Sequence, residues 1–106
     1  MNTPYSYTET SELEGMISFE YKGGDYYYSD LEVYYHMNAA EPEIGVPEHI
    51  EECWVTNGDL VIYNEEGTVT HKLEEGSNLV PKEKEKQFQE ALEELIWDHW
   101  GKKNEQ

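Results

Sequence analysis

Residues 16–37 read MISFEYKGGDYYYSDLEVYYHM, and how this stretch pairs with itself decides the fold. Ile, Val, Phe and Tyr are enriched on both sides of Gly23-Gly24-Asp25, the pattern of two strands joined by a tight turn. The register follows from burial. A two-residue Gly23-Gly24 loop would pair Tyr21 with Tyr26 and set Ile17 and Phe19 beside Asp30 and Glu32, which wastes the apolar face. A three-residue loop over Gly23, Gly24 and Asp25 pairs Tyr21 with Tyr27 and Ile17 with Leu31. It gathers Ile17, Phe19, Tyr21, Tyr27, Leu31, Val33, Tyr35 and Met37 on one side. A one-residue slip exchanges the faces of a strand, so the pattern favours the odd loop or a bulge. The opposite face then carries Glu20, Tyr26, Tyr28, Asp30, Glu32 and Tyr34, with alternate residues roughly 7 Å apart. Such a face is either ordinary solvated surface or a docking surface, for which tyrosine is well suited.

The 106 residues allow one small domain with one modest core. Hydrophobic residues make up 37% and mean hydropathy is −0.89, and no apolar run approaches the roughly 20 residues of a membrane span. The first 15 residues lack the basic and apolar regions of a signal peptide. A single cysteine, Cys53, leaves no internal disulfide and suits a reducing cytosol.

Charge is the outlying property. Against 24 acids stand 7 lysines and no arginine, a formal charge of −17. Through Pro81 there are 17 acids and 2 lysines, and from Lys82 onward 7 acids and 5 lysines, so the acidity sits in the sheet-forming part. Direct nucleic-acid binding is disfavoured, because phosphate neutralisation needs Lys and Arg. An anionic membrane is disfavoured likewise. A basic protein surface is what this field attracts. Plain solubility and salt adaptation are the alternative explanations.

Around the hairpin, residues 1–15 are polar and aperiodic and read as a mobile N-terminal arm. Asn38 to Glu48 holds two prolines and a glycine and reads as an irregular connection. His49 to Thr56 reads as a strand whose imperfect alternation calls for a bulge near Glu51-Glu52 or for cover on both sides. Asn57-Gly58 is a two-residue turn signal leading to a strand over 59–64. Glu65 to Gly67 turns again before a strand over 68–73.

From Pro81 to Gly101 the spacing predicts a helix, with Phe88, Ala91, Leu92, Leu95, Ile96 and His99 on one stripe. Trp97 projects opposite that stripe among Glu90, Glu93 and Glu94. An outward tryptophan marks a binding face, a dimer contact or a helix covered on both sides. The expected architecture is α+β: an antiparallel sheet of four to five strands with one C-terminal helix packed on one face. Residues 16–101 form the single domain and 102–106 a polar tail.

Enzyme motifs are missing: there is no GxSxG, P-loop, GxGxxG or HExxH. Cys53 and His49 stand four residues apart on a strand, roughly 13 Å, too far for a nucleophile and its base. The four histidines show no metal-ligand spacing and no stretch fits a calcium loop. No catalytic, cofactor-binding or metal-binding residue is therefore expected.

The order ISFEY-KGGD-YYY, then EPEIGVPEHIE, an NG turn and a terminal EKEKQFQEALEELIWDHW helix is similar to small acidic proteins encoded by tailed bacteriophages. The similarity covers residues 16–100 and is one of layout. Some small acidic phage proteins occupy a host protein's nucleic-acid site, as restriction and CRISPR inhibitors do. The resemblance implies a non-enzymatic, DNA-mimic-like inhibitor in the cytoplasm of a bacterial host. The expected partner is the basic surface of a nucleic-acid-handling protein. Glu20, Asp30, Glu32, Glu51, Glu52, Glu90, Glu93 and Glu94 would stand for phosphates, and Tyr26, Tyr28, Tyr34 and Trp97 would supply packed contacts. The alternative is a phage accessory or assembly module acting through a homodimer.

Overall fold

In a computed structural model, which describes residues 6–77 and 79–104, the sheet is built on one long strand, β3 (Gly24–Asn38). One edge of β3 pairs first with β2 (Ile17–Tyr21) and then with β1 (Ser6–Glu12); the other edge pairs with β4 (His49–Asn64), which pairs with β5 (Gly67–Glu74). All pairings are antiparallel. Helix α1 (Glu85–Asn104) packs on one face, giving the expected α+β layout.

The β2–β3 turn lies earlier than the glycines suggest. Tyr21 pairs with Gly24, so the loop is Lys22-Gly23, with φ of 45° and 78°. Both residues are left-handed, as a two-residue turn matched to strand twist requires. Phe19 consequently faces Tyr26 and Ile17 faces Tyr28. The apolar face is preserved by a bulge. Between the pairs Ser29↔Asp59 and Glu32↔Asn57, β3 spends Asp30 and Leu31 where β4 spends only Gly58, and Asp30 takes φ 51°. The extra residue switches faces. Tyr28 is therefore inward before it, and Leu31, Val33, Tyr35 and Met37 are inward after it.

That bulge also corrects the reading of Asn57-Gly58 as a turn. β4 runs straight through it, and Gly58 is needed because a Cβ there would meet Leu31 Cδ2 at 2.9 Å and Leu73 Cδ1 at 3.2 Å. A second irregularity pairs Glu52 with His36 and Ile50 with Met37, leaving Glu51 extra. This is the bulge the alternation of β4 called for. The β4–β5 turn is Glu65-Glu66, where Asn64 Oδ1 accepts the Glu66 N–H at 2.8 Å.

The expected mobile arm is corrected too. Residues 6–12 form β1, while residues 1–5 lie outside the described part. Its inward positions are Tyr7, Glu9 and Ser11, polar types that hide the alternation of a half-buried strand. At the other end, α1 continues through Gly101 to Asn104 rather than stopping there. Its last turn is tied to the N-terminal part by Lys102 Nζ donating to Glu14 Oε2 (2.9 Å) and Lys103 Nζ to Glu9 Oε1 (2.5 Å). The core comprises Tyr28, Leu31, Val33, Tyr35, Met37 and Leu60 from the sheet and Phe88, Leu92 and Ile96 from α1. The described part of the chain extends over 61 × 25 × 24 Å, with a radius of gyration of 16.1 Å. A compact domain of this length has about 13 Å, so the body is rod-like.

Candidate protein-docking surface

Among the described residues, no α-helix covers the sheet face turned away from α1. Near its middle Tyr34 and Trp54, register partners on β3 and β4, stack with centroids 4.3 Å apart and planes 25° apart. Trp54 is 40% exposed. Farther along, Tyr27 meets Tyr63 edge to face at 5.4 Å, beside the exposed Met16.

Carboxylates frame these rings in an unfavourable way. Glu12 lies directly opposite Glu32 across β1–β3, and Glu20 directly opposite Asp25 across β2–β3. Like charges at opposed positions destabilise a sheet, by about 0.2–1 kcal/mol per pair. Glu32 is held by the Thr56 hydroxyl donating at 2.7 Å, and Glu52 stands exposed opposite His36. Nε2 of His36 is buried without a hydrogen-bond partner among the described residues. Opposed carboxylates, an exposed stacked ring and an orphaned nitrogen thus lie on one face of the sheet.

Of the twelve residues expected to contact a partner, the structure brings Glu20, Glu32, Tyr34 and Glu52 onto this face. Asp30 is exposed at the bulge. Glu51 lies at the β3–β4 end, accepting from Asn38 Nδ2 at 2.8 Å and lying 3.2 Å from His49 Nε2. Glu90, Glu94 and the 37%-exposed Trp97 share the free stripe of α1, on the far side of the molecule. Glu93 is half-buried there, accepting from Gln89. One flat interface cannot touch both sides.

Two expectations are corrected outright. Tyr28 is 0% exposed, with its hydroxyl donating to the Leu79 carbonyl at 2.8 Å. Tyr26 turns inward and stacks on Phe19 at 5.2 Å. Both follow from the Lys22-Gly23 turn, which moves even positions of early β3 to the core side. Tyr27, Trp54, Tyr63, Glu12 and Asp25 take their place outside. Tyr27 and Asp25 come outside through the turn, Glu12 through the pairing of β1 with β3, and Trp54 and Tyr63 through the register of β4.

A second polar cluster sits under the C-terminal end of α1. The Glu9 carboxylate accepts the hydroxyls of Tyr35 (2.6 Å) and Tyr7 (2.9 Å) and the Lys103 ammonium, with His99 Nε2 at 3.3 Å. Burial works to raise its pKa, but hydrogen bonds from Lys103, Ser11, Tyr35 and Tyr7 outweigh it and hold the carboxyl well below the ordinary range. Burial, and then Glu9 itself, push the Tyr35 phenol up. The cluster is a latch between β1 and α1.

Burial raises the Cys53 thiol, against a hydrogen bond from Gln89 Nε2 at 3.1 Å. That leaves it a weak nucleophile near neutral pH. Among the described residues no group of three or more His, Cys, Asp or Glu could hold a metal ion, and no helix is long and apolar enough to cross a membrane. No family model, curated protein or solved structure matches the chain.

Proposed function

We propose that this protein is a non-enzymatic binding protein that occupies the basic nucleic-acid site of a host nucleic-acid-handling protein, in the manner of a DNA mimic. The observation that carries this reading is the pairing of opposed carboxylates with outward rings at two places on one face: Glu12–Glu32 beside the Tyr34–Trp54 stack, and Glu20–Asp25 beside the Tyr27–Tyr63 pair. A basic partner relieves the repulsion, and the rings offer faces to its lysine and arginine side chains. The charge density supports it. Removing Glu105, which lies outside the described residues, from the formal −17 leaves 16 net charges along 61 Å, about one per 3.8 Å. One strand of a duplex carries about one per 3.4 Å.

The test is capture from a bacterial lysate on the immobilised protein, followed by elution with rising salt or with duplex DNA. Basic DNA- or RNA-handling proteins that elute by about 0.5 M salt and are displaced by duplex are expected. Partners indifferent to both would overturn the reading.

A second reading, assembly through copies of the chain, is favoured by β5, whose outer edge pairs with no strand among the described residues. Sedimentation separates the two readings: a salt-resistant homodimer at low micromolar concentration supports assembly, and a monomer supports mimicry.

A further inference from the structure

β5 extends beyond the cover of α1. Only Leu73 among its eight residues is buried, so the inner face of β4–β5 looks onto a cleft whose other wall is the first half of the helix. The cleft measures about 740 Å³, within the roughly 300–1,000 Å³ of small-molecule sites. Its floor is apolar: Val55 and Leu73 from the sheet, and Phe88 and Leu92 from the helix. Phe88 is fixed edge to face on Tyr28 at 4.8 Å, and the only phenol in the wall already donates its proton to Leu79. The rim is charged. The turn after β5, closed by Ser77 N–H donating to the Glu74 carbonyl at 3.0 Å, presents Glu74 and Glu75, and α1 adds Glu85 against a single Lys86.

We infer that this cleft is a second binding site, for a small amphiphilic amine whose apolar body lies on Val55, Leu73, Phe88 and Leu92 and whose ammonium faces Glu74, Glu75 and Glu85. Charge decides among occupants. A second copy of the chain brings another 17 negative charges to an acidic rim, and an anionic amphiphile meets three carboxylates against one lysine. A cation is attracted by the whole molecule and by the rim. The cleft shares Trp54 with the proposed docking face, so the test changes Val55, Glu74, Glu75 and Glu85, none of which belongs to that face.

The experiment is a titration of the methyl-labelled full chain by NMR with 4-phenylbutylamine, 4-phenylbutanol and 4-phenylbutyrate, which share one apolar body. The amine is expected to shift the Val55, Leu73 and Leu92 methyls saturably, about threefold to fivefold more tightly than the alcohol, the size of a few exposed ion pairs, while the butyrate binds weakest. Alkylation of Cys53, which also lines the cleft, is expected to slow when the amine is bound. The E74Q/E75Q/E85Q variant changes only exposed side chains and is expected to bring the amine down to the alcohol's affinity. Val55→Phe is expected to abolish binding of both. Equal affinity for all three compounds, no saturable shift, or a dimer burying these methyls would overturn the inference. A partner captured unchanged by the triple variant would leave the mimicry reading standing whichever way the cleft behaves.

Discussion

A Cβ built on Gly58 would stand 2.9 Å from Cδ2 of Leu31, a side chain with no exposed surface. Leu31 is the residue that the Asp30 bulge delivers into the core, and β4 crosses it at the one position without a side chain. Gly58→Ala is expected to destabilise the protein by about 1–3 kcal/mol through overpacking. At about 4–8 °C per kcal/mol, thermal melts would register that clearly. Gly23→Ala, in the solvent-facing turn with nothing within 4 Å of the added carbon, isolates the backbone contribution at φ 78°.

Glu9 is expected to make stability pH-dependent. Its ordinary carboxyl value is 4.5, and in the folded chain it is held well below that. The unfolded state therefore takes up its proton first, and the stability Glu9 contributes above about pH 4.5 is lost as pH falls through the native value. Glu14 and Glu83 are also held below the ordinary carboxyl value and contribute in the same sense. Comparing wild type with Glu9→Gln removes that background. The variant should be about 1–3 kcal/mol less stable at pH 7, the range for hydrogen bonds to a charged group. The gap should narrow in melts between pH 5 and pH 3.

Tyr28 and Tyr34, six residues apart on one strand, should separate stability from binding. Tyr28→Phe loses the hydrogen bond to Leu79 and is expected to cost about 1 kcal/mol of stability, with capture of the basic partner unchanged. Trp54→Ala, which unstacks Tyr34 at the surface, is expected to weaken that capture by about tenfold or more, as a central aromatic contact does. Melting curves and binding isotherms on both variants check the division.

Glu12→Gln should move the two properties in opposite directions. Removing one member of an opposed carboxylate pair is expected to raise stability by about 0.2–1 kcal/mol at low salt. The same change weakens binding to the basic partner. Sites kept unfavourable for folding are a recurrent cost of function.

The helix was legible because Phe88, Ala91, Leu92, Leu95 and Ile96 recur at mixed i+3 and i+4 spacing, which strand alternation does not give, and the hairpin because Tyr, Val and Ile crowd both sides of a glycine pair. The misplaced turn came from weighing those glycines above Lys22, a residue type that seldom takes positive φ. Moving it by so little exchanged Tyr26 and Tyr28 for Tyr27. Asn57-Gly58 carries the same dipeptide whether it turns a chain or lets a strand pass over a bulge, and only Leu31 beneath it decides. β1 stayed hidden because its inward carboxylate is satisfied by Lys103 and Tyr35, from segments 94 and 26 residues away.

The most direct measurement is the affinity of one purified basic partner for this protein, from 50 mM to 500 mM salt, with and without a duplex that fills the partner's nucleic-acid site. The expected result is a steep fall in affinity with salt and strict competition with the duplex. An affinity unchanged across that range, or a ternary complex holding protein and duplex together, would contradict the central claim.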